Sequence, residues 1–220
     1  MIMAVIVEHD KRKEEILEKS LNLFCNQGFD DVTFQKIADA CGVTRTTLYI
    51  YFKNKHEIFV WSIKQLTTKI EKKIISIIKN ESLTPAETLR KTLYLIVDKC
   101  AEYHRLFSVL LTYLIQLQKQ GIDPNERVHR RVLRIVHFLS TIIIRGQNEG
   151  QFRALPVKDV NDMLYATIET AIFRIAVLNQ RDMSDIKNII DMAIRGIGSG
   201  GDSPSGELQR DFASQNSRTG

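Results

Sequence analysis

Apolar residues recur along this chain at intervals of three and four, the spacing of helices that bury one face, and the strict alternation of a half-buried strand is scarce. Residues 11–27 place Ile16, Leu17, Ser20, Leu21, Phe24 and Cys25 at helical spacing, with Gly28 just past the end. Phe34, Ile37 and Ala38 mark one face of a second, short helix, which Thr33 caps and which breaks at Cys41-Gly42-Val43. Leu48 and Phe52 mark a third helix opened by Thr44. A longer fourth helix is expected over 54–79, capped by Asn54, with Ile58, Phe59, Ser62, Leu66, Ile70, Ile74 and Ile77 as its stripe. Thr84-Pro85-Ala86-Glu87 has the make-up of a capping box with Pro at the first helical position, and predicts a helix to about residue 100. A further Leu- and aromatic-rich helix is expected over 102–120. Segments 125–145 and 157–178 are apolar over more than one stripe, and a short helix over 184–195 follows. The fold class this predicts is all-α.

From 196 to 220 the chain turns to Gly, Ser, Pro and charge, too poor in apolar groups to offset its ordering entropy, and a disordered tail is expected there.

Residues 33–52 give the chain its chemistry. A helix, a three-residue turn holding Gly42 and a second helix form a helix-turn-helix, and Gly42 is the residue that takes positive φ without strain. With Leu48 and Phe52 turned inward, the second helix is left with Arg45, Thr46, Thr47, Tyr49 and Tyr51, which suit base edges and phosphates. Such a helix fits the major groove of DNA, its N-terminal residues nearest the bases. Arg45 is the leading base reader, because bidentate Arg–guanine contact is the commonest specific one, with Thr46 and Thr47 beside it. Lys36, Arg45, Lys53 and Lys55 cluster around this head, and Lys55 in the first turn of the fourth helix adds to its backbone amides at a phosphate.

Leu23-Phe24, Gly28-Phe29, Thr33, Ile37-Ala38, Gly42-Val43, Leu48-Tyr49-Ile50-Tyr51-Phe52 and Asn54-Lys55 form a spaced string. In that string, residues 16–58 resemble the N-terminal DNA-binding domain of TetR-family bacterial transcriptional regulators. The resemblance implies a DNA-binding head over 1–53 and a helical regulatory and dimerisation domain over 54–195. It also implies phosphate contacts from Thr33, Tyr49, Tyr51 and Lys55, which with Lys36, Thr44, Arg45, Thr46 and Thr47 complete the expected DNA-contact set. Repression relieved by a small-molecule effector is a further implication, as is a homodimer on a palindromic double-stranded operator. Cys41, where Ala is usual, and Thr46, where Gly is usual, depart from the pattern without threatening the fold; both bear on operator choice.

Composition changes this picture little. The net charge of +5 favours polyanions mildly, but basic and acidic residues balance over 1–55, so the argument rests on their placement. Three cysteines without a CxxC pair exclude a disulfide framework or thiolate zinc site and suit a reducing cytoplasm. The start, MIMAVIVEHD, lacks the basic region of a secretory signal, and no apolar run reaches the length of a membrane span, so a cytoplasmic protein is expected. Gly196, Gly198 and Gly201 satisfy GxGxxG without a preceding strand, and no HExxH, Gly-x-Ser-x-Gly or Walker sequence occurs. No catalytic residue, metal ligand or cofactor is assigned.

For an apolar effector the candidates are Trp61, Tyr94, Cys100, His104, Phe107, Tyr113, Phe138 and Tyr165. The surplus apolar faces of the two late helices point to a subunit interface through Val132, Val136, Leu139, Ile143, Ile168, Ala171, Ile172 and Ile175. Two other readings stay open: a DNA-binding protein of the same build that answers to a protein partner or to nothing, and a helical enzyme or scaffold.

Overall fold

Each helix start that the sequence marks with Thr or Asn is capped by that side chain. Thr33 Oγ1 accepts the Lys36 amide at 3.1 Å, Thr44 Oγ1 the Thr47 amide at 3.1 Å, and Asn54 Oδ1 the Glu57 amide at 2.9 Å. At Thr84 the capping box closes both ways, Oγ1 taking the Glu87 amide at 3.2 Å and the Glu87 carboxylate taking the Thr84 amide at 2.9 Å.

The computed structural model describes residues 2–123 and 125–200, with side chains over 8–123 and 132–200. Its helices are α1 (Ile2–Gln27), α2 (Phe34–Cys41), α3 (Arg45–Tyr51), α4 (Lys55–Ile78), α5 (Pro85–Glu102), α6 (His104–Lys119), α7 (Asn125–Asn148), α8 (Val157–Ala176) and α9 (Ser184–Ile197). The all-α class holds: among the described residues the one β contact is an isolated bridge from Phe152 to Gly198. α1 begins at Ile2, well before the expected residue 11.

Two apolar cores form. In the head, Ile16, Leu17, Leu21 and Phe24 of α1 pack on Ile37 and Ala38 of α2, Leu48 of α3 and Ile58 and Phe59 of α4. Leu106, Tyr113 and Leu117 of α6 complete that core, so the division expected at 53/54 does not separate the two cores. In the body, α5 is central, touching α4, α7, α8 and α9, and buries Leu89, Leu93, Ile96 and Val97.

The tail boundary needs correction. α9 runs through Ile197, the Arg153 amide donates to Ile197 O at 2.8 Å, and the Ser199 amide donates to Gln151 O at 2.9 Å. Residues 196–199 are therefore part of the body, held by backbone pairing to a segment more than forty positions earlier, which local composition cannot reveal. The expected disorder over 201–220 lies outside the described residues.

Arg145 ties the far end of the body together. Its Nη2 donates to Leu83 O at 2.9 Å and to Thr88 Oγ1 at 3.1 Å, linking α7 to the α4–α5 connection. Arg145→Met is expected to cost about 1–2 kcal/mol, because Leu83 O loses a charged donor; a urea denaturation series checks it through the midpoint.

Candidate nucleic-acid interface

Gly42 closes α2 in the left-handed region at φ 68, and the Val43 amide donates to Ala38 O at 3.0 Å. The chain is thereby turned so that α3 crosses α2 with Leu48 and Phe52 inward, both buried. The Phe34 and Tyr49 rings, 4.5 Å apart, seal one flank of that crossing. Thr44, Arg45, Thr46, Tyr49, Ile50 and Lys53 are left exposed.

The expected contact residues divide by what already occupies them. Arg45 and Thr46 stand in solvent, and Arg45 Nη2 donates to its own-helix neighbour, the Tyr49 hydroxyl, at 3.3 Å. Thr33 and Thr44 serve as caps, and the Thr44 and Thr47 hydroxyls lie 2.8 Å apart. Tyr51 is half-buried and stacked on His9 at 4.5 Å. Lys36 Nζ donates to Asp31 O at 2.9 Å and Gln27 Oε1 at 3.1 Å, tying α2 to the loop before it.

Lys55 is engaged within the head. Its ammonium donates to Phe29 O, Asp30 O and Val32 O at 2.9, 3.1 and 3.0 Å and sits 4.7 Å above the Phe29 ring. An ammonium has three N–H donors, so none remains for a phosphate; the side chain fastens α4 to the α1–α2 loop. Lys55→Met is expected to lower stability by about 2 kcal/mol, the scale of charge-assisted bonds to carbonyls left without partners. The salt dependence of DNA binding is expected to stay at the parent's slope; a thermal melt and a salt series of anisotropy titrations check the two halves. Ile50, outside the expected contact set, sits in the motif string as the variable position and is exposed beside these residues.

Behind the head, α6 holds on by polar contacts as well. Gln116 Nε2 donates to Asp30 Oδ2 at 2.6 Å, Arg105 Nη1 to Asn26 Oδ1 at 2.6 Å, and the Tyr113 hydroxyl lies 2.7 Å from His56 Nδ1.

The effector candidates separate likewise. Trp61 and Tyr113 belong to the head core, Trp61 lying between the Lys13 and Lys64 ammonium groups at 4.8 and 4.3 Å, so neither reaches the body. Tyr94, Phe107, Phe138 and Tyr165 pack against the body core, which includes Cys100. The Tyr94 hydroxyl is fixed to Asp191 at 2.8 Å, and burial with that carboxylate raises its pKa. Burial pushes the Cys100 thiol up to about 12, which keeps it a thiol near neutrality. His104 Nδ1 lies 3.2 Å from Ala101 O, and its Nε2 is buried without a hydrogen-bond partner among the described residues. Asn161 Oδ1 and Thr92 Oγ1 are buried in the same condition.

The expected subunit-interface residues lie mostly inward in the single chain. Leu139, Ile143, Ile168, Ala171 and Ile175 lie within one chain's own core, and Val132, Val136 and Ile172 are half-buried at its margin. α7 and α8 pack on each other and on α5, and α8 also on α6 and α9, so these residues are taken up within the chain. The outward stripe is Met163, Ala166, Thr170 and Phe173 on α8 with Val177 just past its end, beside Leu133, His137 and Ile144 on α7. Its spacing of three and four is that of a helix seam.

Among the described residues no helix is long and apolar enough to cross a membrane. Residues 16–60 match the family described as bacterial regulatory proteins, tetR family. The chain is 22% identical over 190 residues to the fatty acid metabolism regulator protein of Bacillus subtilis (strain 168), spanning 83% of this chain and 94% of that one. In fold it is similar to a TetR transcription regulator from Haloarcula marismortui ATCC 43049, with a TM-score of 0.74 at 19% identity over 86% of this chain and 99% of the other. It is also similar to the transcriptional regulator FadR from Bacillus subtilis, solved in complex with stearoyl-CoA, with a TM-score of 0.66 at 22% identity over 83% and 98%. The TetR-family resemblance carried by the motif string is thereby borne out.

Proposed function

We propose, from the premise that the chain is a TetR-family transcriptional regulator, that it represses transcription as a homodimer on a palindromic operator and releases DNA on binding an apolar effector. The observation that carries the reading is the α3 ridge: a helix capped at Thr44, braced by Leu48 and Phe52, and presenting Arg45, Thr46, Tyr49 and Ile50 to solvent. Outward side chains of this kind on a short capped helix suit a major groove. Two such ridges related by a dyad through the α7–α8 stripe would meet successive grooves about 34–36 Å apart.

For the effector, the aromatic surround of the body core and the stearoyl-CoA of the similar Bacillus subtilis structure support a long acyl chain. Release follows if that ligand binds more tightly to the body conformation in which the heads are misplaced. α4 and α6 both run from one core to the other and are the two elements able to carry the change.

Selection of bound duplexes from a random pool, followed by anisotropy on the best site, tests the reading. An inverted repeat is expected, with one position at which Arg45→Ala costs about 1–3 kcal/mol. Titration of the complex with stearoyl-CoA is expected to release the duplex; retention at saturating ligand would remove the acyl effector and leave operator binding standing.

A further inference from the structure

The midline of the DNA-facing ridge is not where the arginine stands. At 3.6 residues per turn, Leu48 and Phe52 fix the inward direction of α3, and Thr46 and Ile50, one turn apart, lie opposite it. Arg45 and Tyr49 share the flank turned toward α2, where Tyr49 meets the Phe34 ring and Arg45 leans on the Tyr49 hydroxyl. Ile50 is 69% exposed, more than any other large apolar side chain among the described residues. A branched apolar group at the outermost line of a polar helix suits one feature of the major groove, the C5 methyl of thymine.

The geometry points to Ile50 as a specificity-determining residue that packs on a thymine methyl, with the Thr46 methyl one turn below on the same line. Arg45 then reads from the flank. The pair selects thymine over cytosine where Ile50 lands, because cytosine offers only hydrogen at C5. This deepens the operator reading and rests on it.

Duplexes bound by the full chain are selected from a random pool, and in the best site each thymine is replaced in turn by deoxyuridine, which lacks only the methyl. Dissociation constants are measured for the parent and for Ile50→Ala. One thymine per half-site is expected whose replacement weakens the parent about fourfold, the scale of one buried methyl, and leaves Ile50→Ala unaffected. A parent indifferent to every replacement, or an Ile50→Ala variant weakened as much as the parent, overturns the assignment with operator binding intact. A chain that selects no sequence overturns the DNA reading itself.

Discussion

Phe173→Asp is expected to leave the chain a monomer and to weaken operator binding by at least about a hundredfold. Phe173 is 55% exposed in the last turn of α8, on the outward stripe that runs from Met163 at 42% to Val177 at 52%. On a two-fold interface each substitution occurs twice, and burying an unpaired carboxylate costs several kcal/mol. Loss of the second half-site then removes the avidity gain of linked binding, on the order of 10²–10⁴. Sedimentation equilibrium reads the oligomer and anisotropy the affinity. The side chain takes no part in the body core, so the monomer is expected to melt cooperatively. A Phe173→Asp chain that still sediments as a dimer would remove the stripe as the interface.

The second large effect has the opposite sign to that suggested by helix propensity. Gly146 lies within α7, where Ala is normally worth up to about 1 kcal/mol over Gly. A Cβ at Gly146, however, would stand 2.1 Å from Cδ2 and 2.4 Å from Cε2 of Phe152. That ring is buried in the body core, and the Phe152 amide donates to Gly146 O at 3.0 Å, so the ring has no cheap way to withdraw. Gly146→Ala is expected to lose about 3 kcal/mol net, at the upper end of overpacking costs, and to lower the melting temperature by roughly 6–12 °C. Calorimetry checks it, and adding Phe152→Leu is expected to return part of the loss, a coupling that contacting residues show.

What could be read from sequence follows the range of the interactions involved. The caps at Thr33, Thr44, Asn54 and Thr84 act over three residues, so their chemistry is visible in a short window. The turn at Gly42 is equally local. The Lys55 tether is invisible in sequence because its partners lie 23 to 26 positions earlier, on a loop whose carbonyls give no signal in the letters. The inward placement of Leu139, Ile143, Ile168, Ala171 and Ile175 is hidden for a related reason: helices apolar on two sides reveal that two faces are used, but which one meets the rest of the body depends on packing order. Trp61 and Tyr113 carry the right chemistry for an apolar pocket, and the topology delivers them to the head instead. Among the candidate DNA contacts, periodicity identified the helix and its inward face, whereas Ile50 emerged from accessibility alone.

Because Tyr113 and Leu117 fill the rear of the head, the DNA-reading unit is not a detachable cassette. Chimaeras joined at residue 53, the obvious seam for transplanting specificity between regulators, would set a foreign α4 and α6 against this head's Phe29, which the Tyr113 ring meets at 5.0 Å. Grafts that carry α6 along, or that exchange only the outward side chains of α3, keep that joint matched and are the workable route to rewired promoters.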